Sequence, residues 1–373
     1  MEFPFETVGY DRTDFLSAVL PTIPHGSAVY KIFDTRDKVI VLDKTSDLRR
    51  RLERFFGERS ELVRDLDLRQ IAGRISYVST ASPFETAYLL YRQRRELFPR
   101  TYRKMRSFPL FTLMKINLRQ RFPRIYAARQ IKAGAEYFGP FVSRAQFATM
   151  KTALERAFRL RPCLYNIRGG DPHPDCMYFQ MRTCSRPCND DIDRVHYLAD
   201  VQRAVAFVQG LADPGERELV DTIERLAAET RFEEADAARR KLDKLRRIRQ
   251  EHKDTFRSIW AFNFLGVLPA RTTARRRIAF IRQGHIAGIE EYETATLPET
   301  LPPDLARYYE GPMPPVNREW QYDEFCLVSD FMLNPLESLD LVPVDAGASL
   351  ADEVARRIEA RRKVRKSRSS SGP

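Results

Sequence analysis

The chain has 373 residues, 43 % of them hydrophobic and 31 % charged, which is too apolar for a disordered protein and long enough for roughly two to four separate cores. It holds no run of about eighteen apolar residues, and its N-terminus, MEFPFETVGYDRTDF, is acidic and aromatic, so no membrane span and no secretory leader are expected and a cytoplasmic location is. The formal charge of +12 is concentrated: between residues 91 and 132 thirteen Lys and Arg stand against Glu96 alone, and the rest of the chain is balanced.

In chain order, residues 27–33 and 38–42 read as two β-rich runs joined by the polar Asp34-Thr35-Arg36-Asp37, a hairpin. A helix capped by Ser46 or Asp47 follows, with Leu48, Leu52 and Phe55 on one face. Residues 74–79 alternate as a further strand, and Ser82, with Pro83 at the first helical position, opens a helix that runs to about Leu97, before Pro99. The order β-β-α-(α)-β-α describes a small mixed α/β unit.

The basic stretch comes next, and it interleaves its cations with Phe98, Tyr102, Phe108, Phe111, Phe122 and Tyr126. Cations for phosphates and rings for bases are what a nucleic-acid strand requires. The competing reading is a solvated charged face whose rings turn into a core. A solvated face normally mixes signs and this one scarcely does, so phosphate binding is favoured, with Arg92, Arg95, Arg103, Lys104, Arg106, Arg119 and Arg121 as the candidate contacts.

Four of the five cysteines then cluster as RLRPC, PDC, MRTC and SRPC: Cys163, Cys176, Cys184 and Cys188. In a chain without a secretory signal such a set favours a metal or iron–sulfur site over disulfides, and four soft thiolates suit tetrahedral zinc or a cubane cluster; buried inert thiols are the alternative. Sulfur chemistry alone does not choose between zinc and iron. His173 is the one histidine near enough to test as a ligand, and Cys326, in the apolar run 325–328, reads as a core thiol.

From residue 216 to 251 two helical runs, one with Leu219, Ile223 and Leu226, the other with Phe232, Ala235, Leu242, Leu245 and Ile248, flank a Glu229-Thr230-Arg231 turn. This is an αα-hairpin whose apolar stripe is too narrow for a core of its own, so it should pack on itself and on a partner. Residues 277–282 and 285–292 around Gln283-Gly284 form another β-hairpin. The end is a Ser, Arg and Lys tail read as disordered.

Taken together these residues resemble the N-terminal half of the excinuclease subunit UvrC and its short relative Cho, which begin with a GIY-YIG nuclease domain. Ala28-Val29-Tyr30 is similar to the first family motif and residues 44–52, KTSDLRRRL, to the helix motif; Tyr137-Phe138-Gly139-Pro140-Phe141 looks like the YFGPY element. The cysteine set matches the family's cysteine-rich segment, and residues 232–239, FEEADAAR, resemble the UVR motif through which UvrC meets UvrB. The resemblance runs from about residue 27 to 344 and implies damaged duplex DNA and a UvrB-like protein as partners, the latter through Phe232, Ala235 and Leu242. An iron–sulfur cluster is the expected cofactor, with zinc as the alternative.

The catalytic positions depart from the family pattern. In GIY-YIG nucleases two tyrosines, an arginine and a metal-binding glutamate converge on the scissile phosphate. Carried across, Tyr30 is the first tyrosine, Arg51 the arginine and Lys44 the lysine after the second motif, with Arg49 beside it as a further phosphate contact. The second tyrosine and the glycine fall on Val41 and Asp43, and the glutamate falls on Leu90. Glu85 and Glu96 are rotated well away from Leu90 on a helix, and Asp43 alone is placed to recruit a cation.

The expected fold class is therefore α/β in the sense of a multidomain α+β chain: a GIY-YIG-like domain at 1–105, a basic hairpin with the cysteine-rich module at 106–198, a UVR-type helical hairpin at 199–252, a UvrC linker-like segment with β structure at 253–345, and a basic disordered tail at 346–373. The expected function is a monomeric, membrane-free DNA-binding component of nucleotide excision repair with impaired or absent incision. The alternative is an active Cho-like endonuclease with a divergent Mg2+ or Mn2+ site, and a third reading is an RNA-binding protein that has reused the fold.

Overall fold

The computed structural model describes residues 4–57, 67–165, 167, 175–209, 214–252, 257–334, 339–344 and 350–370. The fold is mixed α/β, with three antiparallel four-stranded sheets and the helices packed around them. The first sheet holds β1 (Glu6–Gly9), β2 (Ala28–Asp34), β3 (Val39–Thr45) and β4 (Ala72–Ser79) in the order β1-β4-β2-β3. Between and after these strands come α1 (Leu48–Phe56), the single turn α2 (Leu68–Ile71) and α3 (Pro83–Leu97).

Period-two alternation along β2 assigns its side chains to two cores. Ala28, Tyr30 and Ile32 pack with Leu48, Leu52 and Phe55 of α1, whereas Val29 joins Val78 of β4 with Leu89 and Leu90 of α3. The sheet thus lies between α1 and α3. Both helices begin on the side-chain caps expected: Asp47 accepts from Arg50 N and Ser82 from Glu85 N. The strand β1 has no counterpart in the sequence reading, because ETVG is a short, exposed edge strand without an apolar alternation.

The second sheet orders β5 (Thr112–Ile116), β6 (Ile125–Ala128) and β7 (Glu136–Phe141) as β6-β5-β7, with the two-residue β8 (Arg257–Ser258) at its edge. Gly139-Pro140 in β7 is a cis peptide. The helices α4 (Arg144–Ala157), α5 (Met177–Gln180) and α6 (Arg194–Val208) follow, and Phe147, Met150 and Leu154 of α4 meet Tyr197, Val201 and Phe207 of α6 over Met114, Phe138 and Phe141. Next come α7 (Pro214–Ala228) and α8 (Phe232–His252), packed on one another as a hairpin around the 229–231 turn, with Thr230 in the left-handed region at φ 58°.

The third sheet runs β11-β10-β9-β12, from β9 (Phe264–Pro269), β10 (Arg275–Arg282), β11 (His285–Glu293) and β12 (Asp340–Pro343), with α9 (Leu297–Tyr309), α10 (Arg318–Leu333) and α11 (Leu350–Ser370). The helix α11 corrects the disordered tail expected at 346–373. Ala351, Val354 and Ile358 recur at helical spacing and are buried against Val342, Leu297 and Leu301, so an apolar stripe anchors a segment whose basic residues dominate its composition.

One large core joins α3 to the third sheet and to β5 and β7 of the second sheet through α10. Polar groups cross the same junction. Arg277 of β10 pairs with the fully buried Glu85 of α3, Tyr91 donates to Asp323 at 3.1 Å, Arg95 reaches Glu324 at 3.1 Å, and Arg106 reaches Asp323 at 2.5 Å.

Candidate nucleic-acid interface and cysteine centre

The basic stretch divides in two when it folds. Tyr102, Phe108, Phe111 and Phe122 are buried in the cores, so the rings expected to stack on bases instead pack the interior, and the bland reading of those aromatics holds. The physical reason is that β5 and the segments flanking it must fill space between two sheets, and large rings do so. Among the cations, Arg95 and Arg106 point inward to Glu324 and Asp323 with side chains only 17 % exposed, and Arg103 pairs with Glu319 on the rim of α10. Arg92 lies 5.8 Å over the Tyr88 ring. Lys104, Arg119 and Arg121 are exposed, with Arg121 over Phe122 at 5.4 Å. The cations left exposed to meet phosphates are therefore fewer than the sequence count implies.

At the first sheet, register pairs Tyr30 of β2 with Asp43 of β3, on the face covered by α1. Tyr30 is 1 % exposed, and burial pushes its phenol well above the ordinary tyrosine value, Asp43 adding to the rise and Arg51 and Arg54 opposing it. Its hydroxyl therefore keeps its proton and is no base near neutral pH. Arg51, one turn before Phe55, holds its guanidinium 5.5 Å from that ring, and among the described residues its buried Nε has no hydrogen-bond partner. Arg49, expected as a phosphate contact, donates to the carbonyls of Ile23 and Pro21 at 2.7 Å each and ties the preceding loop to α1. Lys44, Arg50 and Arg54 remain on the exposed surface beside this group.

Leu90 is 1 % exposed and lies with Val29, Val78 and Leu89 on the α3 face of the sheet, across from Tyr30. One turn further along α3, Arg94 extends to Asp43, Nη2 to Oδ1 at 3.8 Å, and gives Nη1 to the Met105 carbonyl. Asp43 also accepts from Lys44 N at 2.9 Å. The carboxylate best placed to recruit a metal thus faces a guanidinium of the same chain. Sequence reasoning missed Arg94, whose only signal was its i+4 spacing from Leu90.

At the middle of the chain, Cys184 and Cys188 are buried and Cys163 and Cys176 half-buried. The Cys184 thiol is pushed up to about 12, first by burial and then by Cys163, Cys176 and Cys188 together, while the Arg186 N–H donates to its Sγ at 3.3 Å. Arg161 approaches Cys163 Sγ at 3.5 Å. The four sulfurs therefore share one electrostatic neighbourhood. Around them Arg159, Arg182, Arg186 and Asp190 all take left-handed conformations, φ 51° to 58°, a density of backbone strain that marks built sites. The donor chemistry of the set is that of a four-thiolate centre, but among the described residues no three His, Cys, Asp or Glu side chains are arranged to hold an ion. His173 lies outside the described residues.

On the hairpin, Phe232 is 66 % exposed, whereas Ala235 and Leu242 are 8 % and 4 % exposed. Of the three side chains expected to meet a partner, two are consumed in this chain's own packing, because α8 rests on both α7 and α4. Cys326 is fully buried and its thiol pushed up to about 12 by that burial.

The class these features define is a mixed α/β protein with an outward cationic surface and a central thiol cluster. Residues 111–207, which contain that cluster, match the family model described as UvrC/Cho excinuclease, middle domain. The chain is 27 % identical over 307 residues to the UvrABC system protein C of Rhodospirillum rubrum, covering 80 % of this chain and 48 % of that protein. It is 27 % identical over 288 residues to the Clostridium kluyveri protein of the same name, covering 75 % and 46 %, and 25 % identical over 303 residues to that of Coxiella burnetii, covering 80 % and 49 %. The chain is UvrC-like over this span, which is about half the length of the curated relatives it matches. No solved structure matches it. Among the described residues no helix is long and apolar enough to cross a membrane.

Proposed function

We propose that the chain is a UvrC-like DNA-binding component of nucleotide excision repair that engages damaged duplex and a UvrB-like partner without cutting efficiently. The observation that carries this reading is the pairing of the half-exposed Asp43 with Arg94 at 3.8 Å, together with the burial of Leu90. A fixed guanidinium neutralises Asp43 without the water-activating chemistry of a bound cation. Tyr30, protonated and enclosed, supports the same conclusion. Lys44, Arg50, Arg54, Lys104, Arg119 and Arg121 supply the surface charge for phosphates, an interaction that weakens as salt rises.

Cys163, Cys176, Cys184 and Cys188 hold an iron–sulfur cluster in this reading, with zinc as the alternative occupant. Either would cross-link chain segments that share little apolar packing. The hairpin presents Phe232 to the partner. Nicking assays of the pure protein on damaged duplex across Mg2+ and Mn2+ test the proposal: no product is expected. Metal-dependent nicking that disappears in Asp43→Ala would establish the alternative, a Cho-like single-incision endonuclease.

A further inference from the structure

Away from both sites, the third sheet and α9 border a cavity of about 260 Å³. Its charged lining is Arg282, His285 and Arg307 against Glu310, and Pro312 and Met313 form part of its apolar lining. Much of the surrounding structure serves to place His285. The preceding turn puts Gln283 and Gly284 in left-handed conformations, φ 52° and 78°. It is pinned by Gln283 N to Asn263 Oδ1 at 2.8 Å, Gly284 N to the Phe262 carbonyl at 3.0 Å, and Nε2 of the fully buried Gln321 to the Gln283 carbonyl at 2.8 Å. A side chain at Gly284 would bring its Cβ within 3.0 Å of the Phe325 Cβ.

The imidazole is then held through Nδ1 by Glu324, a fully buried carboxylate that also accepts from Ile286 N and Arg95. A carboxylate at Nδ1 holds one proton there, and when the ring carries its second proton Nε2 is the donor that can meet an anionic ligand. Among the described residues Nε2 has no hydrogen-bond partner. The wall is built with similar specificity: the Tyr308 ring stacks on Phe280 at 4.2 Å, gives its hydroxyl to Glu290 at 2.8 Å, and fits only because residue 288 is glycine, where a Cβ would lie 2.4 Å from that hydroxyl. Arg282 is locked by the carbonyls of Tyr308 and Gly311, while Arg307 is 69 % exposed, stands 3.9 Å from Asp304 Oδ1 and lies over the Tyr308 ring at 5.2 Å.

We propose that this cavity binds the phosphate monoester of a single nucleotide, with His285 Nε2, Arg282 and Arg307 on the phosphate and Pro312 and Met313 against the sugar or base. Two arginines and a protonated imidazole against Glu310, and Asp304 beside Arg307, leave a net positive lining that suits an anionic ligand, and the volume, just below the usual range of roughly 300–1,000 Å³ for ligand pockets, admits one nucleotide and no duplex. The nucleotide can be free or can be the phosphorylated end of a strand, since both offer the same group.

The test titrates the full chain with inorganic phosphate, dAMP and deoxyadenosine, and with a short single strand bearing a 5′-phosphate or a 5′-hydroxyl. His285→Ala would strip Glu324 of a donor, so the exposed Arg307→Ala carries the comparison. We expect phosphorylated ligands to bind at least about tenfold tighter than their unphosphorylated counterparts and Arg307→Ala to remove most of that gap with an unchanged melting temperature. Competition by inorganic phosphate supports the site. A gap confined to dAMP identifies free nucleotide as the ligand, and one confined to the strand identifies its end. Equal affinity across every phosphorylated and unphosphorylated pair, or an unchanged gap in Arg307→Ala, overturns the proposal.

Discussion

Arg106 offers the sharpest separation between a cation that binds DNA and one that holds the fold. Its guanidinium is 17 % exposed and stands 2.5 Å from Asp323, whose side chain is 3 % exposed, and it also donates to the Arg103 carbonyl at 2.9 Å. Burial raises the Asp323 carboxyl above its usual value, with Arg106 the first of the groups that oppose the rise. Arg106→Ala leaves a buried carboxylate with the Tyr91 hydroxyl as its remaining partner. Breaking a buried pair from one side costs about 3–5 kcal/mol, and the retained tyrosine bond places this case near the lower figure, about 3 kcal/mol. The pH dependence has a definite sign. Because the folded pKa of Asp323 is raised, the stability linked to it is present at acid pH and lost as pH rises through that value; removing Arg106 raises the value further. The deficit of the variant is therefore larger at pH 7 than below the raised value, and pH 5 serves as the acid comparison. Urea unfolding of both proteins at the two pH values measures it, and DNA affinity at fixed salt is read in parallel, below the unfolding transition. A loss under about 1 kcal/mol at pH 7 accompanied by clearly weaker DNA binding would refute the structural role and return Arg106 to the phosphate-contacting set.

Three further outcomes are expected. Arg94→Ala exposes an unneutralised Asp43 near Lys44, so DNA affinity in EDTA should fall roughly two- to threefold by fluorescence anisotropy, and an unchanged affinity would mean that no phosphate passes there. Phe232→Ala should leave the unfolding midpoint within experimental error, since the ring is 66 % exposed, yet weaken capture of a UvrB-like protein by tenfold or more; equal capture would remove the hairpin tip from the interface. Cys184→Ser should abolish bound iron or zinc in elemental analysis of anaerobically purified protein, whereas Cys326→Ser should retain it; equal metal content in both would dismiss the four-cysteine centre.

Apart from β1, the strands of the first sheet and the helices that flank them were legible because their signals are local. Asp47 and Ser82 cap where a capping residue precedes an apolar period, and the two left-handed residues at Gln283-Gly284 mark a hairpin by their chemistry. The long α11 escaped because composition outweighed the stripe of Ala351, Val354 and Ile358. The polar junction was also hidden, although Gln321, Asp323 and Glu324, set beside the apolar run 325–328 of α10, were a signal that buried partners must exist.

Residue order alone determined the helices and strands with strong periodicity and the clustering of the thiols, since each depends on spacing along one segment. Only the tertiary structure decided which cations stay free. Arg95 and Arg106 turn inward and Lys104 outward although they sit within a dozen positions of one another, because their partners are carboxylates more than two hundred residues away on α10. Charge in a sequence counts cations, whereas availability to a phosphate depends on which of them the fold has already neutralised.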